Sequence, residues 1–353
     1  MTYIPDPTNP SLPTVADLAG NMAAELQALK GYIQSLIATG TNFYNLGASS
    51  FRNRLKNGSM NVAQRGRVFN VGTPGPNSIY TYDQWKVDSN GGSTHVSDAA
   101  GPTINSNVIN LAPAGGVTTL NLYSRIESAD VQDMVSGTFV TVSGMIKITN
   151  ILSSAILGPP IVNLYTPGSS ATPDVWTSPQ PASSNLAAGQ PIGVQSLSLN
   201  NWLYFSNTFI LNTDCTAGLE CLIQMAVTIG DLNGMYYNFT NIMLEKATVG
   251  LPYEHRPIQV DTALCQRYYQ NLVIRFDGYG ITNTAIQYSI PFLTTMFVPP
   301  TVGILFTTTI NTNINLTNPL IDIYGQNSCL FAGLVTATGN FTIDGYVALS
   351  AEL

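Results

Sequence analysis

Thr138-Phe139-Val140-Thr141-Val142-Ser143 alternates apolar with polar residues, and Met145-Ile146-Lys147-Ile148 carries the run beyond Gly144. A period of two is the signature of a half-buried strand, and an isolated glycine inside it predicts a bulge. From Asn57 onward the chain repeats this texture: short alternating runs, punctuated by Gly, Pro, Asn and Ser. That spacing predicts antiparallel β-sandwiches. Trp202 to Leu211 and Leu222 to Ile229 read as further strands. Leu157 to Pro173 and Ser178 to Pro191, rich in Pro, Ser and Gly, read as long loops, where recognition usually resides.

The N-terminal segment has a different grammar. Pro5, Pro7, Pro10 and Pro13 suit an extended arm over residues 1–13 that orders only against a partner. Thr14-Val15-Ala16-Asp17 then reads as a helix start. Val15, Met22, Leu29 and Leu36 occupy one heptad position, and Ala19, Leu26 and Ile33 the other, which makes a coiled-coil seam across residues 14–40. Gly20 and Gly31 each cost about 1 kcal/mol relative to Ala, so this helix is expected to form only in a bundle. The mixed seam does not distinguish dimer from trimer. A linker over 41–56 follows.

At 353 residues the chain exceeds one comfortable core, and two β-domains plus an oligomerising segment are the economical reading. Charged residues make up only 9%, against roughly 25% in an ordinary soluble domain. Ser, Thr and Asn must hydrate the surface instead, and burial between subunits could hide more. A net charge of −7 disfavours wholesale nucleic-acid binding. Arg52, Arg54, Lys56, Arg65 and Arg67 form a local basic cluster, read as a solvated neck rather than an anionic-glycan site. No apolar run reaches the length of a membrane span and no export signal opens the chain, so membrane insertion is not expected. Cys215, Cys221, Cys265 and Cys329 lack metal-ligand spacing; free core thiols are the reading, with a bridge between Cys215 and Cys221 left open.

Catalytic constellations are not apparent, and no cofactor is implied. His95 and His255 read as surface or hydrogen-bonded histidines, and neither HExxH nor GxSxG occurs. Paired carboxylates for glycoside hydrolysis could come from Glu127, Asp130 and Asp133, or from Asp214 and Glu220, though in a sandwich each set reads better as solvated turn acids. Binding is easier to motivate. Sugar C–H faces stack on aromatic rings, and Trp176 with nearby Tyr165 in the loop-like region are the candidates; Trp85 and Trp202 read as core.

Asn53-Arg54-Leu55-Lys56-Asn57-Gly58-Ser59-Met60, Gln64-Arg65-Gly66, Tyr82-Asp83-Gln84-Trp85, Arg125-Ile126-Glu127, Ile242-Met243-Leu244-Glu245-Lys246 and Tyr253-Glu254-His255-Arg256-Pro257 occur in an order that resembles a module of bacteriophage tail-fibre proteins. Leu264 to Tyr269, Pro291 to Met296, Pro299 to Val302 and the terminal Ala351-Glu352-Leu353 resemble the smaller β-domain that follows it. The fold expected is mainly β: the heptads give a short N-terminal coiled-coil helix, where the resemblance does not extend, and the resemblance implies a jelly-roll carbohydrate-binding-module-like sandwich over 57–258, a connecting helix over 259–271 and a C-terminal β-sandwich over 272–353. It also implies a non-enzymatic homotrimeric virion fibre, made in the host cytoplasm. Such a fibre would grip a tail, neck or capsid protein by its arm and bind a bacterial surface glycan. A purely structural capsid or neck fibre and a polysaccharide depolymerase are the alternatives. The resemblance fades around residues 150–200.

Overall fold

In the computed structural model the strands of the first sandwich follow in chain order. They are β1 (Phe69–Val71), β2 (Ser78–Tyr80), β3 (Lys86–Asn90), β4 (Thr94–Asp98), β5 (Ile109–Pro113), β6 (Thr119–Ile126) and, after the single turn α1 (Ser128–Val131), β7 (Phe139–Asn150). Then come β8 (Ile156–Leu157), β9 (Ile161–Thr166), β10 (Ser184–Asn185), β11 (Gln190–Pro191), β12 (Trp202–Ile210), β13 (Leu219–Ile229) and β14 (Met235–Glu245). Helix α2 (Ile258–Gln266) leads to β15 (Tyr269–Gly280), β16 (Ala285–Pro291), β17 (Thr301–Leu305), β18 (Ile314–Tyr324), β19 (Ser328–Val335) and β20 (Gly339–Ser350). The structure describes residues 52–72, 77–102, 107–150, 156–157, 159–167, 172–176, 184–192, 200–305 and 314–352. The expected arm and seam helix, with Val15, Ala19, Met22, Leu26, Leu29, Ile33 and Leu36, lie outside them.

The architecture is mainly β, a jelly-roll-like sandwich followed by a smaller pair of sheets. One sheet runs β1-β4-β5-β14-β7-β12; the other runs β10-β9-β13-β6-β3-β2, with β11 on β9 and β8 on β13. All pairings are antiparallel, and the inward residues of both sheets, among them Trp85, Leu111, Leu122, Val142, Phe209 and Phe239, merge in one core. A second core, built on Ile274, Phe331, Ile343 and Val347, lies between β15-β20-β17 and β16-β19-β18.

Several expectations are corrected. The bulge lies on the strand facing Gly144, where the β14–β7 register shifts between Thr240 and Met243 and Asn241 takes φ 54°. Gly144 instead clears space, since a Cβ there would stand 3.0 Å from the Phe205 ring and 3.3 Å from Ile242 Cα. The loop expected over Leu157 to Pro173 contains β9, whose Val162 and Leu164 enter the core. Trp202 is half-buried on the face of β12 opposite Phe205 and Phe209, not in the core. The connecting helix ends at Gln266, because Tyr269 already pairs with Ser350. The C-terminal domain therefore opens with β15 and β16, and the stretch from Phe292 to Pro300 has no regular structure.

Residues 53–56 form part of the fold rather than a linker, and within the basic cluster Lys56 and Arg65 are internal rather than solvated, while Arg54 and Arg67 pair with Asp133 and Asp98 nearer the surface. Leu55 is in the core, and Asn53 stitches the bulged strand by donating to Ile242 O (3.2 Å) and accepting from Leu244 N (3.0 Å). Gly58 permits this, since a Cβ there would meet Ile242 O. Glu254 accepts from Asn53 N (2.7 Å) and Arg256 donates to the carbonyls of Asn53 and Leu55, so the stretches around 53–60, 242–246 and 253–257 close on one another. Lys56 Nζ reaches Glu127 (3.3 Å), Asp130 (2.8 Å) and the Tyr268 hydroxyl (2.5 Å), and that hydroxyl donates to Glu127. Arg65 bonds Glu352 (2.5 Å) and Asp83 (3.4 Å), while Gln84 donates to Glu352 (3.2 Å). Both ends of the smaller domain are thereby fastened to the sandwich, and Asn53–Leu353 forms one compact unit. Among the described residues, no helix is long and apolar enough to cross a membrane.

Candidate functional site

The eight-stranded sheet turns one face into the core and the other away from it; on that second face Tyr123, Arg125, Glu220 and Leu222 are themselves buried, while Tyr80, Lys86 and Tyr165 are half-buried. Along β13, Leu219, Cys221, Ile223 and Met225 enter the core, so Glu220, Leu222 and Gln224 point the opposite way. The same rule sends Asn121, Tyr123 and Arg125 of β6 outward, with Ile161, Asn163 and Tyr165 of β9, Lys86 and Asp88 of β3, and Ser78 and Tyr80 of β2. Strand register then assembles rows. Tyr165, Glu220 and Arg125 form one; Asn163, Leu222, Tyr123, Lys86 and Tyr80 the next; Ile161, Gln224, Asn121, Asp88 and Ser78 the third.

Cations and rings alternate across these rows. The Arg125 guanidinium lies 4.6 Å from the Trp176 ring centroid and 5.8 Å from that of Tyr123. The Lys86 ammonium lies 5.7 Å from Tyr123 and 5.2 Å from Tyr80, and Arg65 follows at 5.4 Å from Tyr80 and 3.6 Å from Tyr269. Such contacts hold the rings in place while leaving N–H donors available. Arg125 Nε also donates to Glu220 Oε2 at 2.9 Å, a pair in which both side chains are buried.

The Trp176 loop is anchored by its own sequence. Asp174 accepts from the Ser128 backbone N–H (2.6 Å) and hydroxyl (2.8 Å), and its N–H donates to Ala217 O (3.0 Å). Gly218, at φ +112°, passes under the indole, where a Cβ would stand 3.4 Å from Cζ2. Trp176 and Tyr165 are both half-buried and flank the Arg125–Glu220 pair from two sides. Burial raises the Tyr165 phenol pKa, with the Glu220 charge adding to it. Burial likewise pushes the Tyr123 phenol up to about 12, so neither is a ready base near neutral pH.

Among the described residues, neutral polar groups remain open in this region. Asn121 donates to Asp88 (3.2 Å), but its carbonyl oxygen is buried without a partner, as is Trp176 Nε1–H. With the Lys86 ammonium they supply an acceptor and donors beside aromatic faces, the combination that recognises a polyol. Residues 80, 86, 121, 123 and 125 were not singled out by sequence reasoning for this role. The available signal was the run Thr119–Ile126, whose non-core positions carry Asn, Tyr and Arg where an ordinary outer face here carries Ser and Thr.

The carboxylates considered for hydrolysis sit elsewhere or are engaged. Glu127 binds Lys56, Arg267 and Tyr268; Asp130 binds Lys56; Asp133 binds Arg54 and Lys246; Asp214 accepts from Ser136 N; Glu220 holds Arg125. His95 shares a hydrogen bond with Asn70, and His255 packs edge-on against Tyr253. All four cysteines are buried free thiols, and burial pushes Cys215 and Cys221 up to about 12. Trp85 is fully buried, its Nε1 donating to Asn57 O.

No protein-family model matches this chain, and no curated protein does. Solved structures with similar folds exist. The enzymatically active domain of bacteriophage CBA120 tailspike protein 4 is 13% identical over 56% of this chain and 22% of that one, with a TM-score of 0.31. TmCBM61, solved with β-1,4-galactotriose, is 11% identical over 56% and 99%, with a TM-score of 0.30. The CBM22-1 xylan-binding domain of Paenibacillus barcinonensis Xyn10C is 11% identical over 52% and 97%, with a TM-score of 0.28.

Proposed function

We propose that this chain is the subunit of a homotrimeric bacteriophage virion fibre that binds a bacterial surface glycan on the outer face of the eight-stranded sheet. The N-terminal arm would attach it to the particle. One observation carries the binding assignment: three registered strand rows bring Tyr165, Tyr80, Arg125, Lys86 and Asn121, with Trp176 packed on Arg125, from five separate segments onto a single face. The ordered motifs of the sequence support the fibre assignment. Three linked sites gain avidity through effective concentration, so each needs only millimolar to micromolar affinity. Cell-surface polysaccharides presented to the full-length protein provide the test. Trp176→Ala combined with Tyr165→Ala is expected to lower binding at least tenfold while leaving the unfolding midpoint near that of the parent. Full retention of binding would move the site off this face. Absence of binding to any polymer would favour a structural neck or capsid fibre, and release of oligosaccharides a depolymerase.

A further inference from the structure

We infer that the glycan on this face is acidic, its carboxylate taken by Lys86; the inference rests on the glycan-binding reading above. A tally of the cations on the face leads there. Arg125 is matched by Glu220 at 2.9 Å, and Arg65 by Glu352 at 2.5 Å and Asp83 at 3.4 Å. Lys86 differs. Among the described residues no carboxylate lies within ion-pair distance of its Nζ and no protein group accepts a hydrogen bond from it, although the side chain is half-buried. Its three N–H donors stand between the rings of Tyr80 and Tyr123, at 5.2 and 5.7 Å, which limits the directions from which water solvates them.

Charged groups around it explain why the position suits an anion from outside. Burial lowers the Lys86 pKa, and the Arg125 charge lowers it further; Glu220, Asp88 and Glu352 act in the opposite direction. Glu220 and Glu352 are held by arginines, and Asp88, two residues along the same strand, accepts from the Asn121 amide. A ligand carboxylate would give Lys86 the charge-assisted partner that the fold withholds.

The remaining open groups set the scale of the ligand. Adjacent rows are two residues apart along each strand, about 6.6 Å at roughly 3.3 Å per residue. That is on the order of one sugar unit. The buried Asn121 carbonyl oxygen lies one row from Lys86, and Trp176 with its open Nε1–H packs on Arg125 one row the other way. A uronate at the Lys86 row, with neighbouring sugars toward Asn121 and toward Trp176, would meet an acceptor, a cation and a donor in turn.

The test uses the full-length protein on a panel of acidic bacterial polysaccharides, each paired with its carboxyl-reduced derivative, in which every uronic acid has become a neutral hexose. Reduction is expected to weaken binding ten- to hundredfold. Lys86→Met should abolish the preference, binding the acidic polymer no better than the reduced one, and Lys86→Arg should retain the preference. Added NaCl should weaken only the acidic interaction. Equal binding of acidic and reduced polymers, or an unchanged preference in Lys86→Met, would overturn the inference while Trp176→Ala still tested the glycan site. Binding to neither form would overturn both.

Discussion

Lys56 shows how much one side chain can decide. It stands in the stretch that sequence reading assigned to a solvated neck, yet its ammonium is buried among Glu127, Asp130 and the Tyr268 hydroxyl. Removing the cation leaves the buried Glu127 carboxylate with Arg267 and the Tyr268 hydroxyl as its partners and takes away one charge-assisted bond, which costs about 1.5–3 kcal/mol. Lys56→Met is therefore expected to lower the unfolding free energy by that order, read from urea titration, with no loss of sheet content by circular dichroism before the transition. A change below about 0.5 kcal/mol would mean that the cluster is solvated after all. The basic residues at 54, 65 and 67 likewise each meet an acid distant in sequence, buried at Arg65 and nearer the surface at the other two. Nothing in the local sequence announces those partners, because an ion pair across 79 or 287 residues depends on where the strands have placed both ends.

At the level of elements, the C-terminal strand and the sandwich share a joint with a pH response. Burial raises the pKa of both Asp83 and Glu352, while Arg65 pulls each down. An acid whose folded pKa exceeds its unfolded value contributes stability that is fully present below the unfolded pKa, near 4, and is lost as pH rises through the folded value. Stability from this joint should thus fall as pH rises above about 4. Glu352→Gln should flatten that slope, measured as urea midpoints at successive pH values; parallel slopes for parent and variant would show that Glu352 contributes nothing to it. Strands were legible at Phe139–Asn150 and Trp202–Ile210, where a long alternating run has one apolar face. β9 was missed because Pro, Gly and Ser crowd its flanks and hide a six-residue run. The bulge was assigned to the wrong strand, since a glycine that makes room for a neighbour looks the same in sequence as one that bends its own chain.

For the whole molecule, the proposed trimer makes its own demand. The full-length chain should sediment as three copies, and Leu26→Asp with Leu29→Asp, which puts charge into both heptad positions of the seam, should reduce it to one. A parent protein that sediments as a single chain would remove the homotrimer. Within one copy, the order of motifs already indicated a mainly β chain with a helix between two β regions, because hydrophobic period and turn residues are local properties that each segment carries unaided. The candidate site was legible only in part. Trp176 and Tyr165 could be named as exposed-loop aromatics, but Tyr165 belongs to a strand, and the cations beside them come from β3 and β6. The sequence by itself determined which residues alternate, where the chain must turn and how little charge it has to spend on solubility. Tertiary structure alone decided which outward residues share a row and which acids neutralise which bases, because both depend on register between strands that meet only after the sheet has formed.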